Sequence, residues 1–138
     1  MKKLLAYFLT ILFLSASVFA GTVNFYDKYG SKNASYRTSG STTTKYNRYG
    51  QKESSYKTSG NKTTEYNKYG SKTATYKKSG STITQYDSQG RKQATYRTNG
   101  STTTSYDKYG RKTGTYKKSS NGKITQYDKY GRKVSSYK

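Results

Sequence analysis

The chain has 138 residues, with 27 Lys and Arg against 6 Asp and Glu, and it contains no Cys, His, Pro or Trp. These absences exclude disulfide bridges, thiolate metal sites and the His- or Cys-based sets of nucleophile, base and zinc ligand. A formal net charge of +21 predicts a salt-sensitive attraction to polyanions.

The first 20 residues predict a secretory signal peptide. Two lysines follow Met1, residues 4–14 are almost all apolar, and Val18-Phe19-Ala20 places small residues at the two cleavage-determining positions. The apolar run is shorter than the roughly 20 residues that a membrane-spanning helix needs. We therefore expect a signal-peptide helix over 1–20, a mature chain from Gly21, and no transmembrane span once the signal is removed.

The mature chain has few aliphatic residues from which to build a hydrophobic core. Every Leu lies in residues 1–20, and the branched aliphatics that remain are Val23, Ile83, Ile124 and Val134. Without its two N-terminal lysines the chain keeps 25 cations against 6 anions, a net charge of +19. Low hydrophobicity with high charge is also typical of disorder, so a disordered cationic polyanion binder is an alternative to a folded chain.

An internal repeat of 20 residues fills the mature chain six times, with one insertion near Asn121. In each unit a Tyr is followed by Asp or Asn and, three residues later, by Gly. These tyrosines are Tyr26, Tyr46, Tyr66, Tyr86, Tyr106 and Tyr127. A second tyrosine set lies half a period on, at Tyr36, Tyr56, Tyr76, Tyr96, Tyr116 and Tyr137. A repeat of this kind predicts one supersecondary unit per period.

Each half-period predicts one β-strand. It holds a Thr- and Tyr-rich run, which favours a strand, and a short polar loop that closes on Gly, which suits a type I turn followed by a G1 bulge. The predicted fold is all-β: residues 21–138 form six tandem β-hairpins in an antiparallel meander of about twelve strands, as a single-layer or curled sheet.

The three-residue loop Ser88-Gln89-Gly90 predicts a register. It places Asp87 opposite Arg91, Tyr86 opposite Lys92, and Thr84 opposite Ala94. The units vary in step with this pairing, because Asp faces Arg in the last three units and Asn faces a neutral residue in the second and third. Opposite charges that face each other across strands stabilise a sheet.

This register predicts that both tyrosine sets share one face of the sheet. One column would alternate Tyr and Lys at steps of about 4.8 Å across the strands. A second column, near the other strand ends, would hold Thr82, Tyr96, Thr102 and Tyr116. We predict ligand-binding residues in the first column, at Tyr46, Lys52, Tyr66, Lys72, Tyr86, Lys92, Tyr106, Lys112, Tyr127 and Lys133. Five of the six turns add a third tyrosine, at Tyr29, Tyr49, Tyr69, Tyr109 and Tyr130.

The segments "YDSQGRK" and "YDKYGRK", the latter present twice, resemble the YD repeat of the RHS family. The resemblance covers the mature chain, and Tyr86, Asp87, Gly90 and Arg91 fit the signature, as do their equivalents at 106–111 and 127–132. It implies hairpin units that build a long, curling β-sheet in exported or surface proteins. The chain is also similar, more weakly, to the aromatic hairpin repeats of choline- and glucan-binding cell-wall modules, which implies an aromatic glycan face.

These observations lead to an exported bacterial protein, secreted, periplasmic or at the cell surface, without enzymatic activity, cofactor or metal site. Its tyrosines and lysines would stack on sugar rings and pair with anionic groups. The expected partners are polysaccharides or anionic envelope polymers such as lipopolysaccharide and teichoic acid, with extracellular nucleic acid a further candidate. The tyrosine columns could instead only stabilise the sheet, and a structural surface or matrix component that self-associates is the alternative function.

Overall fold

The structure, a computed structural model, describes residues 20–27 and 29–137, and for Tyr137 it describes the backbone only. The predicted signal peptide therefore lies outside the described residues, apart from Ala20. The described residues are organised as strands and short turns, and none of their segments forms a helix long and apolar enough to cross a membrane.

The predicted all-β meander is confirmed. In the described part of the chain, twelve antiparallel strands form one sheet in which each strand pairs with its neighbours in sequence. The strands are β1 Gly21–Tyr26, β2 Lys32–Ser39, β3 Thr42–Asn47, β4 Lys52–Ser59, β5 Lys62–Asn67, β6 Lys72–Ser79, β7 Thr82–Asp87, β8 Lys92–Asn99, β9 Thr102–Asp107, β10 Lys112–Lys118, β11 Ile124–Asp128 and β12 Lys133–Tyr137. Odd-to-even connections lie at one end of the sheet and even-to-odd connections at the other, because consecutive strands run in opposite directions.

The end of the sheet that holds the odd-to-even connections is called the first end, and there the predicted turn geometry is confirmed. The backbone N–H of Gly90 donates to the Asp87 carbonyl at 3.1 Å, and the Asp87 N–H donates to the Arg91 carbonyl at 2.9 Å. Gly90 has a φ of 84°, the left-handed conformation that a G1 bulge needs and that side chains other than glycine rarely adopt. The same backbone bonds recur in all six turns at this end.

At the opposite end, the prediction of the same turn type is wrong for four of the five connections. The loop between Ser39 and Thr42 has only two residues, Gly40 and Ser41. Gly40 has a φ of 56°, whereas no described residue other than glycine has a positive φ. This is the type II′ arrangement, with glycine first in the loop. The insertion near Asn121 restores a three-residue loop, in which the Gly122 N–H donates to the Ser119 carbonyl at 2.9 Å.

A β-bulge in every first-end hairpin changes the faces of the sheet. Tyr86 faces Lys92 as predicted, but Ala94 pairs with Gln85 instead of Thr84, because Gln93 is an extra residue between the two pairs. A bulge of this kind lets two residues oppose one and shifts the register beyond it. A shift by one residue moves every following side chain to the other face.

The prediction that both tyrosine sets share a face is therefore wrong. From Tyr36 to Tyr116, the tyrosines of the second set point to what we call the inner face, together with Ala94 and Gln85, while Tyr86 and its equivalents lie on the outer face. The predicted second column is also wrong, since Tyr96 pairs with Ile83, and Thr82 with Arg97. The tyrosines of the inner face are at most 6% exposed, and they are Tyr36, Tyr56, Tyr76, Tyr96 and Tyr116.

The core is thus aromatic rather than aliphatic. The Tyr36 ring lies edge-on to Phe25, with 4.9 Å between centroids, and 6.4 Å from the Tyr56 ring. Ile83 and Ile124, two of the few branched aliphatics, are also buried here. The inner face lines a cavity of about 830 Å³. Tyrosine supplies the large buried area that leucine supplies elsewhere, with offset or edge-on ring contacts adding stability.

The sheet curls until its first and last strands come into contact. No ladder of hydrogen bonds joins β1 to β12 in the described part of the chain, so the curl is nearly closed rather than complete. The curl brings the inner-face tyrosines together and leaves the outer face to solvent.

Candidate functional site

The ten predicted ligand-binding residues all belong to the first-end hairpins. Each predicted Tyr faces its predicted Lys directly, as in the pairs Tyr46 with Lys52 and Tyr86 with Lys92. The five tyrosines are half-buried and the five lysines exposed. The pairs recur in five consecutive hairpins, Tyr46–Lys52, Tyr66–Lys72, Tyr86–Lys92, Tyr106–Lys112 and Tyr127–Lys133.

The unbroken Tyr and Lys column predicted across the whole sheet is wrong. Tyr106 faces Lys112 within its own hairpin, but on the other side it faces Thr95 rather than Lys92. Each hairpin is staggered along the strand direction relative to the one before it, because the two-residue loop Gly100-Ser101 pairs Asn99 with Thr102 and so places Tyr106 opposite Thr95, three residues beyond Lys92. Such stagger accompanies the curling of a sheet. The face consequently consists of separate Tyr–Lys units, one per hairpin.

A second cation lies over each of these tyrosines, and it was not among the predicted site residues. The Lys77 ammonium lies 5.4 Å from the centroid of the Tyr86 ring, and the Arg97 guanidinium lies 5.4 Å from that of Tyr106. Arg37, Lys57 and Lys117 take the same position over Tyr46, Tyr66 and Tyr127, at 5.1 to 5.6 Å. These distances are those of cation–π contacts.

A signal for these cations was present in the sequence. Each one directly follows a tyrosine of the inner set, as Lys77 follows Tyr76. Alternation along a strand places consecutive side chains on opposite faces, so a cation after an inner tyrosine must be on the outer face. Sequence reasoning missed it because it assigned both tyrosine sets to one face.

A buried Ser or Thr lies opposite each of these tyrosines on the neighbouring strand. Thr75 lies opposite Tyr86 and Thr95 opposite Tyr106, and both threonines are buried. Ser35, Ser55 and Thr115 occupy the equivalent positions and are also buried. The tyrosine ring therefore lies close to the sheet, with a cation over it and a lysine beside it. We call this arrangement of outer tyrosine and two cations the outer cation–tyrosine face.

The inner face carries a polar network around Glu65. The Tyr76 hydroxyl donates to Glu65 Oε2 at 2.7 Å, and the Tyr56 hydroxyl donates to Glu65 Oε1 at 3.3 Å. Burial, and then the negative charge of Glu65, raise the pKa of both tyrosines far above its ordinary value. The same two causes raise the pKa of Tyr96 to about 12. This network holds the tyrosines neutral and oriented.

Other repeat units have a different residue at the position equivalent to Glu65. In the following unit Gln85 accepts from the Tyr96 hydroxyl at 3.1 Å. In the preceding unit Lys45 occupies it and forms a 2.8 Å ion pair with Glu53. The inner face therefore varies in charge from one unit to the next while its buried tyrosines stay constant, as expected of an interior that stabilises the sheet.

The first-end turns contain the remaining acidic groups. Asp87 Oδ1 accepts from the backbone N–H groups of Gln89 and Arg91, both at 2.9 Å, and Arg91 Nε donates to Asp87 Oδ2 at 2.8 Å. Asp107 and Asp128 repeat this pattern with Arg111 and Arg132. The backbone hydrogen bond from the residue after Gly lowers the pKa of all three carboxyls, and the Arg side chain lowers it further.

These aspartates are thus occupied as turn acceptors. Among residues 20–27 and 29–137, no three His, Cys, Asp or Glu side chains gather where they could hold a metal ion.

Comparison with known proteins finds no protein-family model and no curated protein that matches this chain. The resemblance to the YD repeat accordingly stays a prediction.

Proposed function

We propose that this chain is an exported, non-enzymatic repeat protein of the bacterial envelope that binds anionic polymers through its outer cation–tyrosine face. The observation that carries the proposal is the recurrence of one unit, an outer tyrosine with a cation over its ring and an exposed lysine opposite, in five consecutive hairpins. Export rests on the predicted signal peptide over 1–20 and is tested by determining the N-terminus of the secreted protein.

The contacts favour charge recognition over ring stacking. Lys77 already lies over the Tyr86 ring, and the ring is half-buried above Thr75, so it offers little free surface to a sugar. The lysines opposite the tyrosines are exposed. An ammonium on a flexible stem pairs well with phosphate or carboxylate groups. Acidic glycans and phosphate-rich envelope polymers, such as teichoic acid or lipopolysaccharide, are therefore the proposed ligands, ahead of neutral glycans.

The test uses residues 21–138, which contain all twelve described strands. Replacing the four lysines Lys52, Lys72, Lys92 and Lys112 with Gln should weaken binding to teichoic acid or lipopolysaccharide by at least about tenfold. The matched control replaces the exposed Lys62, Lys118 and Lys123 and the half-buried Lys78, all close to the opposite end, and removes the same charge. Equal losses in the two variants would show that net charge alone attracts the polymer and would contradict a specific face.

A structural role in the cell surface or matrix is a second candidate, favoured by the two unpaired edges. Within residues 20–27 and 29–137, strands β1 and β12 each pair on one side only. Exposed strand edges can pair with another copy and polymerise the protein. A net charge of +19 opposes such assembly until a polyanion neutralises it. Fibres that form with rising protein concentration, in the absence of any polymer, would support this role over the first.

A further inference from the structure

The two ends of the sheet differ in chemistry. The first-end turns carry Tyr29, Tyr49, Tyr69, Tyr109 and Tyr130, which are 70 to 80% exposed. We call these five the tyrosine rim. The connections at the opposite end, Gly40-Ser41 and its equivalents, contain Gly, Ser, Asn and Lys but no aromatic residue. Large exposed aromatic side chains gathered at one place mark an interaction site more often than scattered ones do.

Cations accompany the tyrosine rim. Arg48 lies 4.7 Å from the centroid of the Tyr49 ring, and Lys68 lies 4.9 Å from that of Tyr69. Tyr109 has two such neighbours, Lys108 at 4.9 Å and Arg111 at 5.1 Å, and Tyr130 likewise has Lys129 and Arg132. Each described rim position from Tyr49 onward thus combines an exposed ring with positive charge, whereas the acidic groups of these turns are held by their own backbone.

Sheet stability does not account for the tyrosine rim. The turn closes without the tyrosine ring, since the Gly50 N–H donates to the Asn47 carbonyl at 3.0 Å and the Tyr49 backbone N–H donates to the side-chain Oδ1 of Asn47 at 2.9 Å, a bond that any residue except proline can make at position 49. The fourth turn has Gln89 in place of tyrosine and makes the equivalent bond to Asp87 at 2.9 Å. The rings are therefore dispensable for the turn, and they leave most of their apolar area in water.

We propose that the tyrosine rim docks the protein end-on to the surface of an anionic lipid bilayer. The turn tips of a curled sheet project together from one end, so they present a ring of side chains to a flat partner rather than a groove to a linear one. Tyrosine is enriched where bilayer meets water, because its ring is apolar and its hydroxyl polar. Lysine and arginine close to that boundary add attraction to anionic headgroups. The rim residues differ from those of the outer cation–tyrosine face, although Lys52 of that face lines the same hollow as Tyr69, and the proposal does not depend on the function proposed for that face.

The test measures co-sedimentation of residues 21–138 with vesicles of phosphatidylglycerol and phosphatidylcholine, and with vesicles of phosphatidylcholine alone. The chain offers a matched pair of variants. Gln89→Tyr completes the tyrosine rim and should strengthen binding to the anionic vesicles about threefold. Ser81→Tyr adds the same ring to a Gly-Ser loop at the other end and should change nothing. Changing Tyr49, Tyr69, Tyr109 and Tyr130 to Ser should weaken binding by at least about tenfold. The circular dichroism signal of the strands should stay unchanged.

Three results would overturn the proposal. The first is that the wild-type chain does not co-sediment with anionic vesicles at low salt. The second is an equal gain from Gln89→Tyr and Ser81→Tyr, which would make any added aromatic ring sufficient wherever it lies. The third is a Gln89→Tyr gain on soluble polyphosphate as large as that on vesicles, which would show that the rim recognises anionic polymers rather than a bilayer.

Discussion

Tyr76 and Glu65, on neighbouring strands, are joined by a 2.7 Å hydrogen bond inside the curled sheet, where Tyr76 is fully buried. The tyrosine supplies the buried area of a core residue, and the carboxylate satisfies its hydroxyl. A core built from tyrosine therefore needs an acceptor for each buried ring, which an aliphatic core does not.

Glu65→Leu should lower the free energy of unfolding by about 1 to 3 kcal/mol, because the Tyr76 hydroxyl loses its charged acceptor in the interior. Glu65→Gln should cost less, since an amide oxygen replaces the carboxylate as Gln85 does beside Tyr96. Urea unfolding followed by circular dichroism measures both changes. If the two variants unfold at the same urea concentration as the wild type, the network does not stabilise the sheet.

The sheet should lose stability in alkali. The folded-state pKa of Tyr96 is about 12, above its ordinary value of 10.0, so the unfolded state releases this proton first. Its contribution is complete below pH 10 and is lost as pH rises from 10 towards 12. Tyr56 and Tyr76, whose pKa is raised further, act in the same direction.

The measurement for alkali is the tyrosinate absorbance recorded together with circular dichroism as the pH rises. Part of the absorbance should appear in the same step as the loss of strand signal, because the buried tyrosines ionise on unfolding. Complete ionisation of all tyrosines while the strand signal stays intact would contradict burial of this set.

The loss of folding stability at low pH should depend on the first-end turns. Hydrogen bonds from the Arg91 backbone and side chain hold the pKa of Asp87 below its ordinary value of 3.8. A lowered pKa means that this contribution is present above pH 3.8 and is lost as pH falls through the folded-state value. The pKa of Asp107 and that of Asp128 are lowered in the same way by Arg111 and Arg132.

Replacing Asp87, Asp107 and Asp128 with Asn should flatten the acid limb of the stability curve. Asn keeps the turn acceptor, as Asn47 Oδ1 shows by accepting from the backbone N–H groups of Tyr49 and Gln51 at 2.9 Å each. Thermal unfolding at a series of pH values below neutrality tests this. An acid limb as steep in the triple variant as in the wild type would assign acid sensitivity to other groups.

Gly90→Ala should destabilise the fourth hairpin by about 1 kcal/mol. A Cβ at this position would meet nothing within 4 Å, so the cost comes from the φ of 84° alone and not from a clash. Ser88→Ala, in the same exposed turn, is the matched control and should be neutral. Equal urea midpoints for the two variants would mean that the turn accepts a side chain at position 90 without strain.

Features set by neighbours in sequence could be predicted from the sequence. Asp87 faces Arg91 and Tyr86 faces Lys92 because a three-residue loop with glycine last determines the pairing next to it. The twelve-strand meander follows in the same way, since short loops leave consecutive strands only antiparallel neighbours. Two of the three residues of each candidate site unit, the tyrosine and the lysine opposite, could be predicted by this route.

The amino-acid sequence by itself thus determined the repeat, the strands and the first pairs beside each turn. Only the tertiary structure decided which tyrosines are inside, because the unpaired Gln93 and its equivalents reverse the alternation along the strand, and no local preference distinguishes one tyrosine from another. The stagger that breaks the column and the cation over each outer ring depend on how adjacent strands pair beyond their turns, and the contact between β1 and β12 depends on the curl of the whole sheet. Burial of these tyrosines is a property of the curled sheet rather than of a single strand.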